Sequence, residues 1–276
     1  MAANRVEPRI TSDLIVRWGV LAVLGASTLI VIMPLLSVLF LSVDDQLGVM
    51  NHVAHKLTLH WYFVLPCELD DDVWSNTIVL TMVVAALGVI GGVCCALNWW
   101  ERKRIYVLLA VAFGIAAVPG AAYATSLSHC FELLGVRESS ACILVIADVL
   151  WVMPFCAVVL ISGVSRTTGS QLKAAMELTG GRRALVAWTI VGPPAIPTIV
   201  SAFTVALLLT GNEYIRSMYL GGPITLIGKT VYGRMSSGTD PTVYALSGVN
   251  VLLAVGMVLI LQFTVQQVRR VGSSLT

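Results

Sequence analysis

The chain has 276 residues, of which 57% are hydrophobic and 12% are charged, and its formal net charge is +2. About a quarter of the residues of a soluble domain are charged, so this composition excludes an ordinary soluble domain. It predicts an all-α integral membrane protein that is surrounded by a lipid bilayer. Each crossing needs about 20 apolar residues, so the length allows several crossings and no large extramembrane domain. The small net charge gives no reason to expect a nucleic-acid partner.

Apolar stretches of sufficient length predict six transmembrane helices. The fourth of them contains one carboxylate, Asp148, and the others contain no Asp, Glu, Lys or Arg. Without an internal repeat or a long linker, the sequence predicts a single transmembrane domain over residues 1–276. The helices are expected at about 18–43, 73–99, 105–127, 139–164, 188–211 and 242–266, and a cytoplasmic loop is expected at 166–187.

The basic residues predict the orientation of these helices. With six crossings, both termini and two of the loops share one face, and this face carries twelve of the 17 Lys and Arg residues. Because basic loops remain in the cytoplasm, both termini are predicted to be cytoplasmic. The acidic residues are concentrated in the opposite loops, where they would attract a cationic solute or the basic residues of a docking partner. A solvated loop without such a role is the alternative.

The loop before the fifth predicted helix has the pattern of a short surface helix. Residues 173–178 favour a helix, and Gly180 and Gly181 supply a C-terminal stop. An amphipathic stretch follows, and then Pro193, Pro194 and Pro197, which should bend or break the start of the fifth helix. A helix of this kind can insert into a groove on a soluble partner, or it can simply rest among the lipid headgroups.

The same loop resembles the EAA loop of ABC importer permeases. Gly180, Ile190, Pro193 and Pro197 have the spacing of that loop without a gap. In this register the family's glutamate falls on Ala174; a shift by one residue would instead place Lys173 there. The resemblance implies that the loop couples the chain to a separate ATPase. The residues expected to do so are Lys173, Ala174, Ala175, Glu177, Gly180, Gly181, Arg182 and Pro193.

Over most of its length the chain is similar to the second membrane subunit of spermidine/putrescine importers. The similarity is carried by Trp61-Tyr62, NTIVLTMVV from Asn76, Pro119, Pro154-Phe155, and the segment from Gly222-Pro223 to Asp240-Pro241. It implies the six-helix permease fold of type I ABC importers, in the bacterial cytoplasmic (inner) membrane. The implied partners are a cytoplasmic ABC ATPase, a second permease subunit and a periplasmic or extracellular substrate-binding protein.

This resemblance implies a transporter subunit and not an enzyme. The chain contains no GxxxxGK[ST] motif, and its four histidines lack metal-ligand spacing. We therefore expect no cofactor and no metal on this chain, and ATP hydrolysis on another.

A polyamine presents several ammonium groups, so its path calls for carboxylates and aromatic faces. We expect Trp61, Asp148, Asn212 and Glu213 to line this path. The polyamine permeases carry two acidic residues where this chain has Asn212 and Glu213, and an aspartate where it has Gly120.

Asp148 has two possible roles, because a carboxylate inside a membrane helix is stable only when it is paired or hydrated. It either contacts a cation in the path or makes a structural hydrogen bond to a Ser, Asn or Trp of a neighbouring helix. Two other functions also remain open. One is the import of another small solute, such as iron, thiamine or an oxyanion. The other is ATP-independent secondary transport that uses Asp148 and Glu213.

Overall fold

A computed structural model describes most of the chain. The described residues are 7–44, 57–98, 105–136, 141–164, 169–181, 186, 192–211, 213–237 and 241–273. Within them the secondary structure is helical, apart from an isolated antiparallel bridge between Asp44 and Leu57. The helices are α1 (Glu7–Ser42), α2 (His60–Glu68), α3 (Asp71–Asn98), α4 (Ile105–Ala117), α5 (Gly120–Leu133), α6 (Ala141–Val164), α7 (Gly169–Leu178), α8 (Gly192–Gly211), α9 (Ile215–Leu220), α10 (Ile227–Ser237) and α11 (Pro241–Ser273).

Four helices contain a stretch that is long and apolar enough to cross a membrane. These stretches are Val16–Ser42, Asp71–Leu97, Ala141–Gly163 and Pro241–Ile260. The pair α4 and α5 gives a fifth if both helices belong to one span, and the apolar part of α8, Ala195–Gly211, is shorter. The chain is therefore a multi-pass helical membrane protein. The number of six crossings and the cytoplasmic position of the termini stay predictions.

The third predicted helix, 105–127, is broken in the structure. Its two parts, Leu109–Ala117 and Gly120–Leu133, are bent by 109° relative to each other. The cause is Pro119, which has no N–H to donate and disfavours the helical conformation of Val118. The N–H of Val118 closes α4 by bonding to the carbonyl of Ile115 at 3.1 Å, and the carbonyl of Pro119 opens α5 by accepting from Tyr123 at 3.0 Å.

The fifth predicted helix, 188–211, is observed as α8 over Gly192–Gly211, and residues 188–191 lie outside the described residues. Pro193 and Pro194 lie at the start of the described part of α8. Of the prolines expected to break this helix, only Pro197 lies deeper inside it, and α8 continues through that position to Gly211. The first helix is longer than predicted at its N-terminal end, because α1 spans Glu7–Ser42. The sixth is longer than predicted at its C-terminal end, because α11 spans Pro241–Ser273.

The chain divides into two compact units. The first comprises Met1–Leu65 and Thr239–Val251, and the second comprises Pro66–Gly238 and Leu252–Thr276. In the first unit, the hydroxyls of Ser42 and Tyr62 share a hydrogen bond of 2.7 Å. A Cβ atom at Gly248 would lie 2.5 Å from Tyr62 Oη and 3.2 Å from Ser42 Oγ. The absence of a side chain at position 248 therefore allows α11 to pack directly against this pair of hydroxyls.

The core of the second unit is formed by α3, α6 and α8, which pack on one another. Its fully buried residues are mostly small, which lets apolar helices approach closely and maximises their van der Waals contact. The thiol of Cys156 on α6 donates to the carbonyl of Ala202 on α8 at 3.7 Å. The residues with no exposed surface include Val84, Ala85, Leu144, Ala147, Val152, Cys156, Ala157, Ala202 and Ala206.

Two glycines of α3 set its distance from α6. A Cβ at Gly92 would lie 3.0 Å from the backbone nitrogen of Ala157, so the two main chains touch there. A Cβ at Gly88 would lie 3.4 Å from Val152 Cγ1, an ordinary van der Waals contact. Since residue numbers increase along both helices across these contacts, α3 and α6 run in parallel. Asp148 lies one turn before Val152, within this packed layer.

Candidate functional site

Asp148 is buried in the second unit and forms an ion pair with Arg216. Its Oδ1 accepts a hydrogen bond from Arg216 Nε at 2.5 Å, and both side chains are only 2% exposed. The pair joins α6 to α9. A charge in an apolar interior is stable only when it is paired and hydrogen-bonded. Arg216 therefore explains how α6 accommodates a carboxylate.

Glu213 contacts the same arginine from the other side. Its Oε2 lies 3.0 Å from Arg216 Nη2, in an ionic contact without hydrogen-bond geometry. Its Oε1 accepts the backbone N–H of Arg216 at 2.9 Å, so Glu213 also satisfies a free donor in the first turn of α9. We call Asp148, Arg216 and Glu213 the charged triad. It contains two carboxylates and one guanidinium, and its formal charge with all three groups ionised is −1.

The guanidinium of Arg216 also packs on an aromatic ring. Its Cζ lies 4.3 Å from the centroid of the Trp151 ring, within the range of a cation–π interaction. Asp148, Glu213 and Trp151 thus contact Nε, Nη2 and the face of the guanidinium. The hydroxyl of Tyr123 donates to the carbonyl of Ala147, next to Asp148, at 3.1 Å. This contact joins α5 to the same region of α6.

The triad is more open at Glu213 than at its other two members. The Glu213 side chain is 15% exposed, whereas those of Asp148 and Arg216 are 2% exposed. Tyr214 follows Glu213, and its exposed ring stacks on that of Tyr232 with 5.0 Å between the centroids and 14° between the planes. A stacked aromatic pair therefore begins at the residue that follows the more exposed carboxylate.

Helix α10 supports this region at Gly228. A Cβ there would lie 2.9 Å from the backbone carbonyl oxygen of Glu213 and 3.2 Å from Tyr214 Cβ. The lack of a side chain at Gly228 lets α10 press against the segment that carries Glu213. A larger residue at position 228 would have to displace that segment.

The double glycine ends α7 in the way the sequence predicts. Gly180 and Gly181 have φ angles of +62° and +80°, which L side chains rarely adopt. The N–H of Gly181 bonds to the carbonyl of Met176 at 2.8 Å, and the N–H of Gly180 bonds to that of Glu177 at 3.3 Å. These bonds satisfy carbonyls at the end of the helix. Leu178, in the last turn, is 88% exposed.

The residues of the predicted coupling loop have different surroundings. Ala174 and Glu177 are exposed on α7, and Ala175 is buried. Lys173 also lies on α7, which begins at Gly169, and Pro193 lies at the start of the described part of α8. Arg182 lies outside the described residues.

The four predicted path residues are not all placed at the triad. Asp148 and Glu213 are brought together through Arg216. Trp61 belongs to the first unit, where its Nε1–H donates to the carbonyl of Asp44 at 3.0 Å. Asn212 lies outside the described residues.

Arg216 is the member of the site that sequence reasoning missed, because it was counted only as a loop cation. Two signals point to it. It lies three residues after Glu213, and its neighbours Ile215 and Met218–Leu220 form an apolar segment. The fourth predicted helix also has a lone carboxylate that needs a partner. The partner is this arginine and not the Ser, Asn or Trp that the hydrogen-bond hypothesis considered.

The architecture is that of a helical membrane protein with a buried ionic cluster. No family model and no curated protein sequence matches the chain. Among solved structures, it is similar to a chain of the MetNI methionine ABC transporter in an inward-facing conformation, with a TM-score of 0.59 and 16% sequence identity. The similarity covers 77% of this chain and 99% of that chain. At this identity the match establishes a shared fold.

Among the described residues, no group of three or more His, Cys, Asp or Glu side chains is arranged to hold a metal ion.

Proposed function

We propose that this chain is a transmembrane permease subunit of an ATP-driven ABC importer. The observation that carries the proposal is the fold shared with nearly the whole length of a MetNI transporter chain. The EAA-like spacing of Gly180, Ile190, Pro193 and Pro197 supports it independently, because that pattern belongs to the loop that contacts an ATPase. Both termini and α7 are then cytoplasmic, and a second permease, an ATPase and a substrate-binding protein complete the importer.

The proposed contact with the ATPase is made by α7 and the double glycine that follows it. Leu178 offers an exposed apolar side chain at the end of this helix, and Glu177 adds a charge beside it. An apolar anchor next to a sharp helix end is suited to a groove on a soluble partner. Movement of the ATPase would then be passed to the membrane helices that flank the loop.

We further propose that the imported solute is a cation, with spermidine and putrescine as the leading candidates. The charged triad has one carboxylate more than it has cations, and the more exposed carboxylate is Glu213. An ammonium group at Glu213 would balance this charge, and the stacked rings of Tyr214, the next residue, and Tyr232 are candidates for a cation–π contact. In this proposal Glu213 and Asn212 contact the solute, Trp61 receives it near the outer face, and Asp148 acts through Arg216.

Transport by the reconstituted importer tests this function. The chain is placed in vesicles with its neighbouring permease, ATPase and binding protein, and uptake of labelled spermidine, putrescine and methionine is measured with and without ATP. ATP-dependent uptake of a polyamine is the expected result. Glu213→Gln should reduce it at least several-fold, because the triad then has no excess negative charge.

The other outcomes separate the alternatives. Uptake of methionine alone would support the proposed importer and contradict the proposal of a cationic solute. Equal uptake with and without ATP would discard the importer and favour a secondary transporter. Purification in mild detergent gives a second measurement, because an importer subunit should retain an ATPase and a second permease, and loss of both in every detergent would count against the proposal.

A further inference from the structure

The number of charges in the triad determines which cations can bind there. Asp148 and Glu213 are held on one guanidinium, and Arg216 is as deeply buried as Asp148. We propose that Arg216 is a specificity-determining residue: it neutralises one of the two carboxylates, so that the site accepts a single ammonium group at a time. This inference rests on the proposed import of a cationic solute and deepens it.

The geometry supports a counter-ion role for Arg216 and not the binding of an anion. Its Nε donates to Asp148 at 2.5 Å, its Nη2 lies 3.0 Å from Glu213, and Trp151 covers its face at 4.3 Å. Two carboxylates already contact this guanidinium, and the Arg216 side chain is 2% exposed, so an anionic solute would meet both negative charges before it reached the arginine. A cation needs only Glu213, whose side chain is the most exposed of the three.

Arg216 thus resembles a substrate cation that is tethered to the protein. It satisfies the deep carboxylate, Asp148, permanently, and it shares Glu213 with the arriving ammonium group. A diamine therefore finds one carboxylate and not two, so its second charge adds little to its affinity. Removing the guanidinium would free the second carboxylate and make a diamine the preferred ligand.

Variants of the triad change its formal charge in a defined way. Arg216→Met changes the net charge from −1 to −2, and Asp148→Asn changes it from −1 to zero. The double variant Asp148→Asn/Arg216→Met returns to −1, and its remaining charge is on Glu213, the most exposed of the three side chains. Glu132→Gln is the control, because Glu132 is an exposed carboxylate whose partner, His129, lies 3.1 Å away on α5.

Binding of simple amines to these variants tests the proposal. The full chain is purified into nanodiscs of zwitterionic lipid, and calorimetry measures the affinities for propylamine, putrescine and spermidine. In Asp148→Asn the affinity for propylamine should fall about tenfold or more, because the remaining carboxylate is fully neutralised. In Arg216→Met the ratio of putrescine to propylamine affinity should rise about tenfold. In the double variant and in Glu132→Gln this ratio should stay near that of the wild type.

A purely structural arginine would give a different pattern, in which all affinities change together and their ratio does not. If Arg216→Met does not fold, Asp148→Asn and the double variant still decide the matter. Unchanged propylamine binding in Asp148→Asn, or loss of binding in the folded double variant, would overturn the role of Arg216 and leave the permease proposal standing. If the wild-type chain with its importer partners binds and transports no amine, both this role and the cationic substrate are wrong.

Discussion

The burial of the Asp148–Arg216 ion pair predicts how much stability the chain loses when one partner is replaced. Replacing Arg216 by Met leaves Asp148 and Glu213 without their cation, and Asp148 is 2% exposed. Removing one partner of a buried pair typically costs about 3–5 kcal/mol, because the remaining charge is desolvated without compensation. We therefore expect Arg216→Met to lower the free energy of unfolding by about that amount.

The double variant Asp148→Asn/Arg216→Met should be closer to the wild type, because the charge of the 2%-exposed Asp148 is removed and the remaining unpaired charge is on Glu213, which is 15% exposed. Replacing a buried pair by well-packed apolar residues of similar volume is often nearly neutral for stability. With a polar Asn at position 148, we expect a loss of no more than about 2 kcal/mol. An exposed pair in the same unit provides the matched control. Arg234 Nη1 lies 2.7 Å from Glu68 Oε2, and these side chains are 29% and 37% exposed. Arg234→Met should cost at most about 1 kcal/mol.

The assay is reversible unfolding of the purified chain in mixed micelles, followed by far-ultraviolet circular dichroism. The expected order of stability is wild type, Arg234→Met, the double variant and Arg216→Met, with a gap of about 2 kcal/mol before the last. If Arg216→Met loses no more stability than Arg234→Met, the reasoning from burial is refuted. It is equally refuted if the double variant is as unstable as Arg216→Met.

Two further predictions concern glycines. Gly92→Ala should destabilise the chain by about 1–3 kcal/mol, because the new Cβ meets the backbone of Ala157. Gly88→Ala should cost less stability, because its Cβ has ordinary contacts. Equal losses of stability in the same unfolding assay would contradict this packing. Gly180→Val should reduce ATP-dependent uptake at least several-fold, because valine is strained at positive φ, whereas Gly180→Asn should retain most of it. Since the space around Gly180 is open, steric contact cannot explain a difference between these variants, and equal uptake by both would count against a coupling role for the turn.

Hydrophobic runs predicted the helical framework well because the membrane imposes a simple physical requirement. Every backbone polar group in the bilayer core must be bonded within the chain, so a long apolar run has few alternatives to a helix. The break at Val118 was missed because the run 105–127 is apolar on both sides of Pro119, and a proline in a membrane helix can cause either a kink or a full turn. The angle depends on packing that a single sequence does not specify.

The site was only partly predictable for a different reason. Asp148 was recognised because an ionisable group inside an apolar run is costly, and Glu213 because it lies at the end of one. Arg216 was assigned to a solvated loop, since basic residues normally remain outside the membrane. The sequence does not show that α9 folds back against α6 and carries this arginine into the core. The contact joins residues 68 positions apart, so no local pattern reports it.

The direct contact of α3 with α6 at Gly92 has a mechanical consequence. Two helices separated by long side chains can slide past each other by small rotamer changes, whereas touching main chains have no such freedom. The two helices should therefore move as one rigid body, and Asp148 should move with them. Bending is left to the junction at Val118 and Pro119, where the chain already turns by 109°. A cross-link between α3 and α6 should then leave ATP-dependent uptake by the proposed importer intact, whereas a cross-link that fixes the junction should abolish this uptake.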